Sequence, residues 1–299
     1  MKYKEIQERV SACDITYNVL GQSDRSAMPL GDGELAVSAW VTEDGVLHCY
    51  LSRSDALSEL DRTIKLGEIQ LRFSPVQFTK EAYMQKLRLT KGQIQISGRD
   101  GMVKLWVARN THCLCITGQF CKPVVVSAAY HTWRTAPYEP FGEFQFKHGI
   151  QESADVVQQV DGKTLFYHKN SQTFIEEIAK LQNVSDAQAL IPNLLQDRIF
   201  GGVLDIEQSE RTFSIRVLTH SAQQSVEAFC DALHTRLVHM EPLEESERNT
   251  QKAWEAYWDK SYIFVDGDPA AENDYLASLE PYMQEPTEYS CACTSQITK

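Results

Sequence analysis

The chain has 299 residues, of which 42% are hydrophobic and 23% are charged, and this ordinary globular composition excludes extended disorder and collagen-like structure. With 41 acidic against 29 basic residues, the formal net charge of −12 disfavours binding to nucleic acid or to an anionic membrane surface. No apolar run approaches the ~18 residues of a transmembrane helix, and the start lacks the apolar core of a signal peptide, so we expect a soluble, cytoplasmic protein.

The first 240 residues are predicted to form mainly short strands separated by turns. Glu34–Val41 and Gly45–Ser52 flank Asp44-Gly45, and an Asp-Gly pair between alternating apolar runs is a strong signal for a β-hairpin. The other predicted strands are Leu66–Phe73, Met84–Leu89, Gln93–Ser97, Met102–Val107, Cys113–Thr117, Val124–Tyr130, Lys163–His168 and Phe213–Thr219. Many short strands with turn signals between them indicate a β-sandwich or a barrel.

Helices are predicted at two places in this part, Ser171–Leu181 and Ser221–Val238, and throughout the acidic C-terminal part. Residues 241–299 hold 13 acidic and 4 basic residues, a net charge of −9, so we place a domain boundary near residue 240. Glu241–Lys260 is rich in helix formers, and Asp268-Pro269 has the pattern of an N-cap followed by proline. An apolar stripe with helical spacing follows, formed by Tyr275, Leu276, Leu279, Tyr282 and Met283.

The eight cysteines contain no Cys-x-x-Cys pair, which is the usual spacing of zinc and thioredoxin-type sites. His112-Cys113-x-Cys115 is the one His/Cys cluster, and a buried strand would use its two thiols as small apolar side chains. We therefore expect free thiols, no metal and no cofactor.

Two polar stretches could face a ligand. In Met28–Glu34, the glycines on either side of Asp32 allow a positive φ and a close backbone approach, although a plain turn explains them equally well. At Asp197-Arg198, the arginine could clasp a sugar hydroxyl or form a structural ion pair.

Aromatic residues and histidines give the remaining candidates. His168 ends a predicted strand, where it could act as a base or simply pack. Trp133 and Trp40 could stack on a sugar ring or belong to the core. The sequence has no nucleophile-elbow, P-loop or zincin motif.

Several stretches follow one another in an order that is more specific than any of them alone. They are Ser26–Leu35, Trp40–Gly45, Leu51–Ala56, Ile64–Leu71, Tyr167–Asn170, Asp197–Gly202 and Trp254–Ile263. Over about residues 15–275 this order resembles the bacterial glycoside-hydrolase-like family whose N-terminal region is catalogued as domain of unknown function 5703. Pro29–Gly33 is also similar to the Pro-Leu-Gly-Asn-Gly element of the family 95 α-L-fucosidases.

The resemblance implies a mainly β fold, a galactose mutarotase-like β-supersandwich, followed by linker helices and an (α/α)6 barrel that carries the catalytic carboxylates. Residues 1–240 would be the supersandwich, and residues 241–299 would be the linker at the start of a barrel that this chain lacks. The chain would then be a truncated, non-catalytic domain in which the apolar surface formed by Tyr275, Leu279, Tyr282 and Met283 is left exposed. It departs from the family at Asp32 and Asp197, where the family usually has Asn, and at Ala56, where it usually has Trp.

Under this interpretation the domain supports a barrel encoded downstream and contributes loops to a carbohydrate site. The residues expected to face carbohydrate are Asp32, Trp40, Asp55, Trp133, His168 and Arg198. A stand-alone carbohydrate-binding module is the first alternative, with a stacking platform formed by Trp40, Trp133 and Tyr167. A mutarotase-like epimerase, with His131 or His168 as general acid, is the second.

Overall fold

A computed structural model describes residues 3–138, 151–171, 175–188, 193–264 and 267–279 of the chain. The described part is mainly β and consists of two packed antiparallel sheets with helices concentrated towards the C-terminus. The predicted fold class is therefore confirmed: the chain is a β-supersandwich followed by C-terminal helices.

The smaller sheet has five strands in the order β10-β5-β4-β3-β2. Its strands are β2 (Met28–Gly31), β3 (Leu35–Val41), β4 (Leu47–Leu57), β5 (Thr63–Ser74) and β10 (Val125–His131). Alternation along β3 separates its two faces, because Leu35, Val37 and Ala39 are buried towards the core whereas Ser38 lies on the outer face with Tyr50, its partner on β4. The predicted hairpin at Asp44-Gly45 joins β3 to β4, with Gly45 at a φ of 77°.

The larger sheet has nine strands in the order β1-β6-β7-β8-β9-β14-β13-β12-β11. They are β1 (Ile15–Tyr17), β6 (Met84–Arg88), β7 (Gln93–Ser97), β8 (Gly101–Ala108), β9 (Cys113–Phe120), β11 (Val156–Val160), β12 (Lys163–Lys169), β13 (Arg198–Gln208) and β14 (Thr212–Gln223). The last of the described strands, β14, pairs with β9 on one side and with β13 on the other. It therefore joins the two halves of this sheet.

The structure describes six helices. They are α1 (Tyr3–Ala12), α2 (Ile175–Leu181), α3 (Ser185–Gln188), α4 (Val226–Val238), α5 (Leu243–Trp258) and α6 (Pro269–Leu279). Ser225 caps α4, since its Oγ accepts a hydrogen bond of 3.2 Å from the backbone N–H of Ala228. Among the described residues, no helix is long and apolar enough to cross a membrane.

Two apolar layers hold these elements together. The first fills the space between the sheets, and it also includes Trp254 and Trp258 of α5. The second lies between the nine-stranded sheet and α4, where Phe229 and Leu233 pack on Tyr167 and Trp106. Cys113 and Cys115 belong to this second layer with their Sγ atoms 4.0 Å apart, so they serve as buried apolar side chains.

Helix α5 is anchored on the end of the nine-stranded sheet. The indole Nε1 of Trp258 donates a 2.7 Å hydrogen bond to the carbonyl oxygen of Leu89. Gly92 has a φ of +54°, and a Cβ at this position would lie 1.7 Å from Nε1 of Trp254. Only glycine lets the Trp254 ring approach the backbone this closely.

The helix predicted over Ser221–Val238 begins only at Val226, because Ser221 and its neighbours up to Gln223 extend β14 beside β13. Tertiary pairing here overrides local helical periodicity. Helix α1 was not predicted at all.

Of the residues expected to form an exposed apolar surface on α6, Tyr275 is partly buried against the core, next to the fully buried Leu276. The structure does not describe the side chain of Leu279, and Tyr282 and Met283 lie outside the described residues. The domain boundary near residue 240 stays a prediction.

Candidate functional site

A network of charged side chains lies where the two sheets meet at one end of the sandwich, and Arg53 of β4 is at its centre. The Arg53 guanidinium is 3% exposed. Its Nε donates to Oδ1 of Asp55 at 2.8 Å, and its Nη2 donates to Oδ2 of Asp55 and to Oε2 of Glu34, both at 3.0 Å. Its Nη1 reaches Oγ1 of Thr219 on the other sheet at 3.1 Å. One buried guanidinium therefore joins both sheets.

Asp32 and His112 form the second part of this network. The Oδ1 atom of Asp32 accepts backbone hydrogen bonds from Glu34 at 3.1 Å and from Leu35 at 2.8 Å, which fixes the turn into β3. Its Oδ2 lies 2.8 Å from Nδ1 of His112, whose Nε2 is 3.1 Å from Oε2 of Glu34. The imidazole, just before β9, thus contacts both carboxylates of the turn between β2 and β3.

Arg198, the first residue of β13, completes the network. Its Nε donates a 2.9 Å hydrogen bond to the carbonyl oxygen of Asp55, and its Nη2 lies 3.8 Å from Oδ2 of the same residue. The preceding residue, Asp197, has a φ of 52°, a conformation that Asn and Asp tolerate better than most residues. Three of the six predicted residues, Asp32, Asp55 and Arg198, are therefore brought together at this end of the sandwich.

The charges in this network are stabilised in their ionised forms. Burial raises the pKa of the Asp55 carboxyl, but the hydrogen bond and the positive charge of Arg53 outweigh it and leave that pKa below its usual value. Burial also opposes ionisation of Arg53, yet the hydrogen bond and charge of Asp55 raise the pKa of this guanidinium. Nearby His220 behaves differently, because burial and the positive charges of Arg236 and Arg53 lower its pKa and favour the neutral imidazole.

This chemistry suits hydrogen bonding to a polar ligand better than proton transfer. A general acid must hold a proton near neutral pH, whereas Asp55 is kept ionised. Glu34, whose side chain is 42% exposed, shares its Oε2 between Arg53 and His112. Because Glu34 and His112 contact each other directly, no sugar fits between them as it would between an acid and a base. Within the described ranges, no cluster of three or more His, Cys, Asp or Glu is arranged to hold a metal ion.

His168 lies in a different network, in the interior. Its Nε2 is 3.0 Å from Oε2 of Glu59 and its Nδ1 is 2.9 Å from Oδ1 of Asp155, and all three side chains are at most 1% exposed. Arg134 adds two hydrogen bonds to Asp155, of 2.9 Å and 2.8 Å. This position does not fit the carbohydrate-facing role or the general-acid role predicted for His168, because a sugar cannot reach the imidazole.

Contacts within this buried network stabilise the ionised forms of Glu59 and His168. Burial raises the pKa of Glu59, but the hydrogen bond and positive charge of His168 outweigh it and lower that pKa to about 2. The hydrogen bonds and charges of Asp155 and Glu59 correspondingly raise the pKa of His168. The network therefore behaves as a buried ion cluster.

The three rings of the predicted stacking platform do not share an exposed surface. Trp40 is only 4% exposed and stacks on His48 at 5.0 Å between ring centroids. Tyr167 is buried under α4 in the second apolar layer. Trp133 is 53% exposed, and its ring meets Tyr50 edge to face at 5.3 Å. Only Trp133 of the three is therefore available for stacking.

Sequence reasoning did not select Arg53 or His112 as site residues. Arg53 and Asp55 have the i, i+2 spacing that places two side chains on the same face of a strand, and this spacing could have paired them. His112 has a φ of 51° in the turn before β9, and no sequence pattern links it to Asp32, which lies 80 residues earlier.

Comparisons with known proteins agree with this fold. The profile of a family described as a domain of unknown function (DUF5703), in its N-terminal part, matches residues 16–212. A solved structure described as a kojibiose phosphorylase from the human microbiome is similar over 89% of this chain, with 10% sequence identity and a TM-score of 0.53.

This chain corresponds to 38% of the length of that structure, so it spans well under half of the protein that it resembles. A search among curated proteins finds no match. The family profile covers more than half of the 299 residues, from β1 to the first residue of β14. The chain therefore belongs to the family described as a domain of unknown function, DUF5703.

Proposed function

We propose that this chain is the N-terminal, non-catalytic supersandwich domain of a glycoside-hydrolase-like protein. In this proposal it supports a barrel encoded downstream, and the end of the sandwich that carries Asp32, Asp55 and Arg198 contributes to the rim of a carbohydrate site. The boundary near residue 240 would separate the sandwich from the helices that lead to the barrel.

The observation that carries the proposal is that three distant segments meet in one network around Arg53 and Asp55. The turn at Asp32, the end of β4 at Asp55 and the start of β13 at Arg198 are connected through two guanidinium groups. The Glu34 and Asp55 side chains keep 42% and 32% of their surface exposed, so their free lone pairs face solvent. Fixed carboxylates can accept hydrogen bonds from sugar hydroxyls, and the guanidinium groups beside them can donate hydrogen bonds to sugar oxygens.

The comparison with a phosphorylase of greater length supports the domain role, since this chain aligns with only 38% of it. Two observations support a non-catalytic role: Asp55 is kept ionised, and His168 is buried between two carboxylates. Neither group can take the part of a solvent-accessible general acid.

The first test is the intact mass of the native product, isolated from its own cells by immunoprecipitation and measured by mass spectrometry. We expect at least twice the 34.0 kDa of this chain. A mass near 34.0 kDa would show that no barrel belongs to the same polypeptide and would overturn the supporting role.

The second test compares activities. The purified 299-residue chain should neither hydrolyse nor phosphorolyse disaccharides such as kojibiose, and heat-labile turnover would refute the non-catalytic assignment. In the native product, Arg198→Ala should lower kcat/KM at least ~10-fold because a contact worth more than about 1.4 kcal/mol is lost. Arg72→Ala is the matched control, since Arg72 is 62% exposed and pairs only at the surface with Asp44. Equal activity of the two variants would contradict the proposed position of Arg198 at the rim.

A further inference from the structure

An aromatic and cationic surface lies on the outer face of the five-stranded sheet and shares no residue with the network around Arg53. The exposed ring of Trp133 meets Tyr50 edge to face at 5.3 Å. The Nζ of Lys65 lies 4.1 Å from the centroid of Tyr50 and 5.8 Å from that of Trp133. These three residues are called the Trp133 patch below.

The Trp133 patch rests on a rigid support. Tyr50 is directly opposite Glu68 on β5, and Glu68 Oε1 is 2.6 Å from Nδ1 of His48. Trp40 stacks on His48 and meets Tyr50 edge to face at 4.7 Å. Because the Trp40 ring and the His48–Glu68 pair fix Tyr50, this part of the patch is preorganised, and ordering it on binding a ligand costs little entropy.

Lys65 has aromatic neighbours and no described carboxylate partner. In the part of the chain that the structure describes, Lys65 contacts the two rings and forms no ion pair with a carboxylate. This is notable in a chain with 41 acidic and 29 basic residues, in which other half-buried lysines, such as Lys104 and Lys163, each bind a carboxylate. A cation held over aromatic rings without a counter-ion is complementary to an anionic ligand.

We propose that the Trp133 patch binds an acidic sugar residue of a glycan, specifically a hexuronic acid. The C–H face of the pyranose stacks on the Trp133 ring, since apolar sugar faces pack on aromatic rings. The sugar carboxylate pairs with the Lys65 ammonium, and neighbouring hydroxyls meet the polar side chains of the same sheet face. The exposed ring selects for a sugar over a simple anion, and the unpaired ammonium selects for an acidic sugar over a neutral one.

The test uses the 299-residue chain and follows the indole N–H resonance of Trp133 by NMR, together with tryptophan fluorescence. The acidic probes are trigalacturonic acid and a hyaluronan tetrasaccharide, and α-1,4-galactotriose is the neutral probe. We expect at least one acidic probe to shift the Trp133 resonance, to bind at least ~10-fold more tightly than the neutral probe, and to bind more weakly as salt is added.

Variants separate the contributions of ring and charge. Trp133→Ala should weaken binding of the acidic probe at least ~10-fold, whereas Trp133→Phe should retain most of it because a ring remains. Lys65→Gln should reduce the affinity for the acidic probe to that for the neutral probe. The controls are Tyr17→Ala, which removes an exposed ring from the other sheet, and Lys80→Gln, which removes a lysine that is 70% exposed; both should bind as the unchanged chain does.

Three results would overturn the proposal: no response to either acidic probe, equal affinity for acidic and neutral probes, or full binding by Trp133→Ala. Thermal unfolding of each variant distinguishes a lost contact from a lost fold, and Trp133 is exposed enough for its replacement to be tolerated. Since the patch and the Arg53 network share no residue, Arg198→Ala should leave this binding unchanged even if the proposed rim role fails.

Discussion

Replacing Glu59 with Gln should measure how strongly the buried carboxylate–histidine network stabilises the fold. The pKa of Glu59 is held at about 2, against an ordinary value of 4.5. At about 1.4 kcal/mol per pKa unit, this difference corresponds to about 3 kcal/mol of stabilisation near neutral pH. Since Glu59 is fully buried and its amide replacement cannot neutralise His168, we expect Glu59→Gln to lower the free energy of unfolding by about this amount.

Glu59 and His168 should make the free energy of unfolding depend on pH in opposite directions. Because the pKa of Glu59 is lower in the folded state, its contribution is present above 4.5 and is lost as the pH falls towards about 2. The pKa of His168 is raised above 6.5 in the folded state, so its contribution is present below 6.5 and is lost as the pH rises through the raised value. Glu59→Gln should flatten the acid side of the stability profile and also weaken the contribution of His168.

Urea unfolding followed by far-UV circular dichroism, from about pH 3 to about pH 8, measures both effects. Glu43→Gln is the matched control, because Glu43 is 54% exposed and pairs with the exposed Lys80, so its replacement should change the free energy by less than about 0.5 kcal/mol. If Glu59→Gln unfolds with the same free energy and the same acid-side slope as the unchanged chain, the network does not stabilise the fold as described.

Two further changes test packing and the Arg53 network. Gly92→Ala should lower the free energy of unfolding by at least ~2 kcal/mol, because the new Cβ would lie 1.7 Å from Trp254 and the φ of +54° disfavours alanine. Gly162→Ala is the control: its φ of +77° is equally unfavourable but nothing lies within 4 Å, so the loss should be only ~1 kcal/mol. Similar melting temperatures for the two variants would contradict the close packing at Gly92. Arg53→Lys keeps the charge but loses the two-pronged contact with Asp55, so urea unfolding should show a loss of about 2 kcal/mol, and an unchanged midpoint would count against the network.

The fold could be predicted largely because local signals were consistent with one another. The Asp44-Gly45 turn between alternating strands predicted the β3–β4 hairpin correctly, and the predicted strands Met84–Leu89 and Gln93–Ser97 pair with each other as β6 and β7. Helical periodicity identified α4, but it could not show that Ser221 belongs to a strand, because that depends on pairing with Phe200 of β13. Local pattern determines element type, whereas element ends depend on distant partners.

The candidate site was predictable only in part for the same reason. Asp32, Asp55 and Arg198 were selected from separate segments, and the fold brings them together. The residue that connects them, Arg53, reaches Thr219 across 166 positions of sequence, a contact that no local spacing encodes. The burial of His168 could not be predicted from the sequence either. His168 lies at the end of a strand as predicted, but its carboxylate partners come from other segments, one of them 109 residues away.

The central position of β14 in the nine-stranded sheet has a consequence for the order in which the domain can form. Strands β6 to β9 can pair with one another early in synthesis, and β11 to β13 can do so later, but neither group touches the other until β14 emerges after residue 211. The pairing of Cys113 with Leu218 must close a loop of more than 100 residues, which makes folding slow relative to a sheet built from neighbours. Until then, β9 and β13 each present an unpaired edge, so the interval before β14 leaves the ribosome is when the nascent chain most needs protection from aggregation.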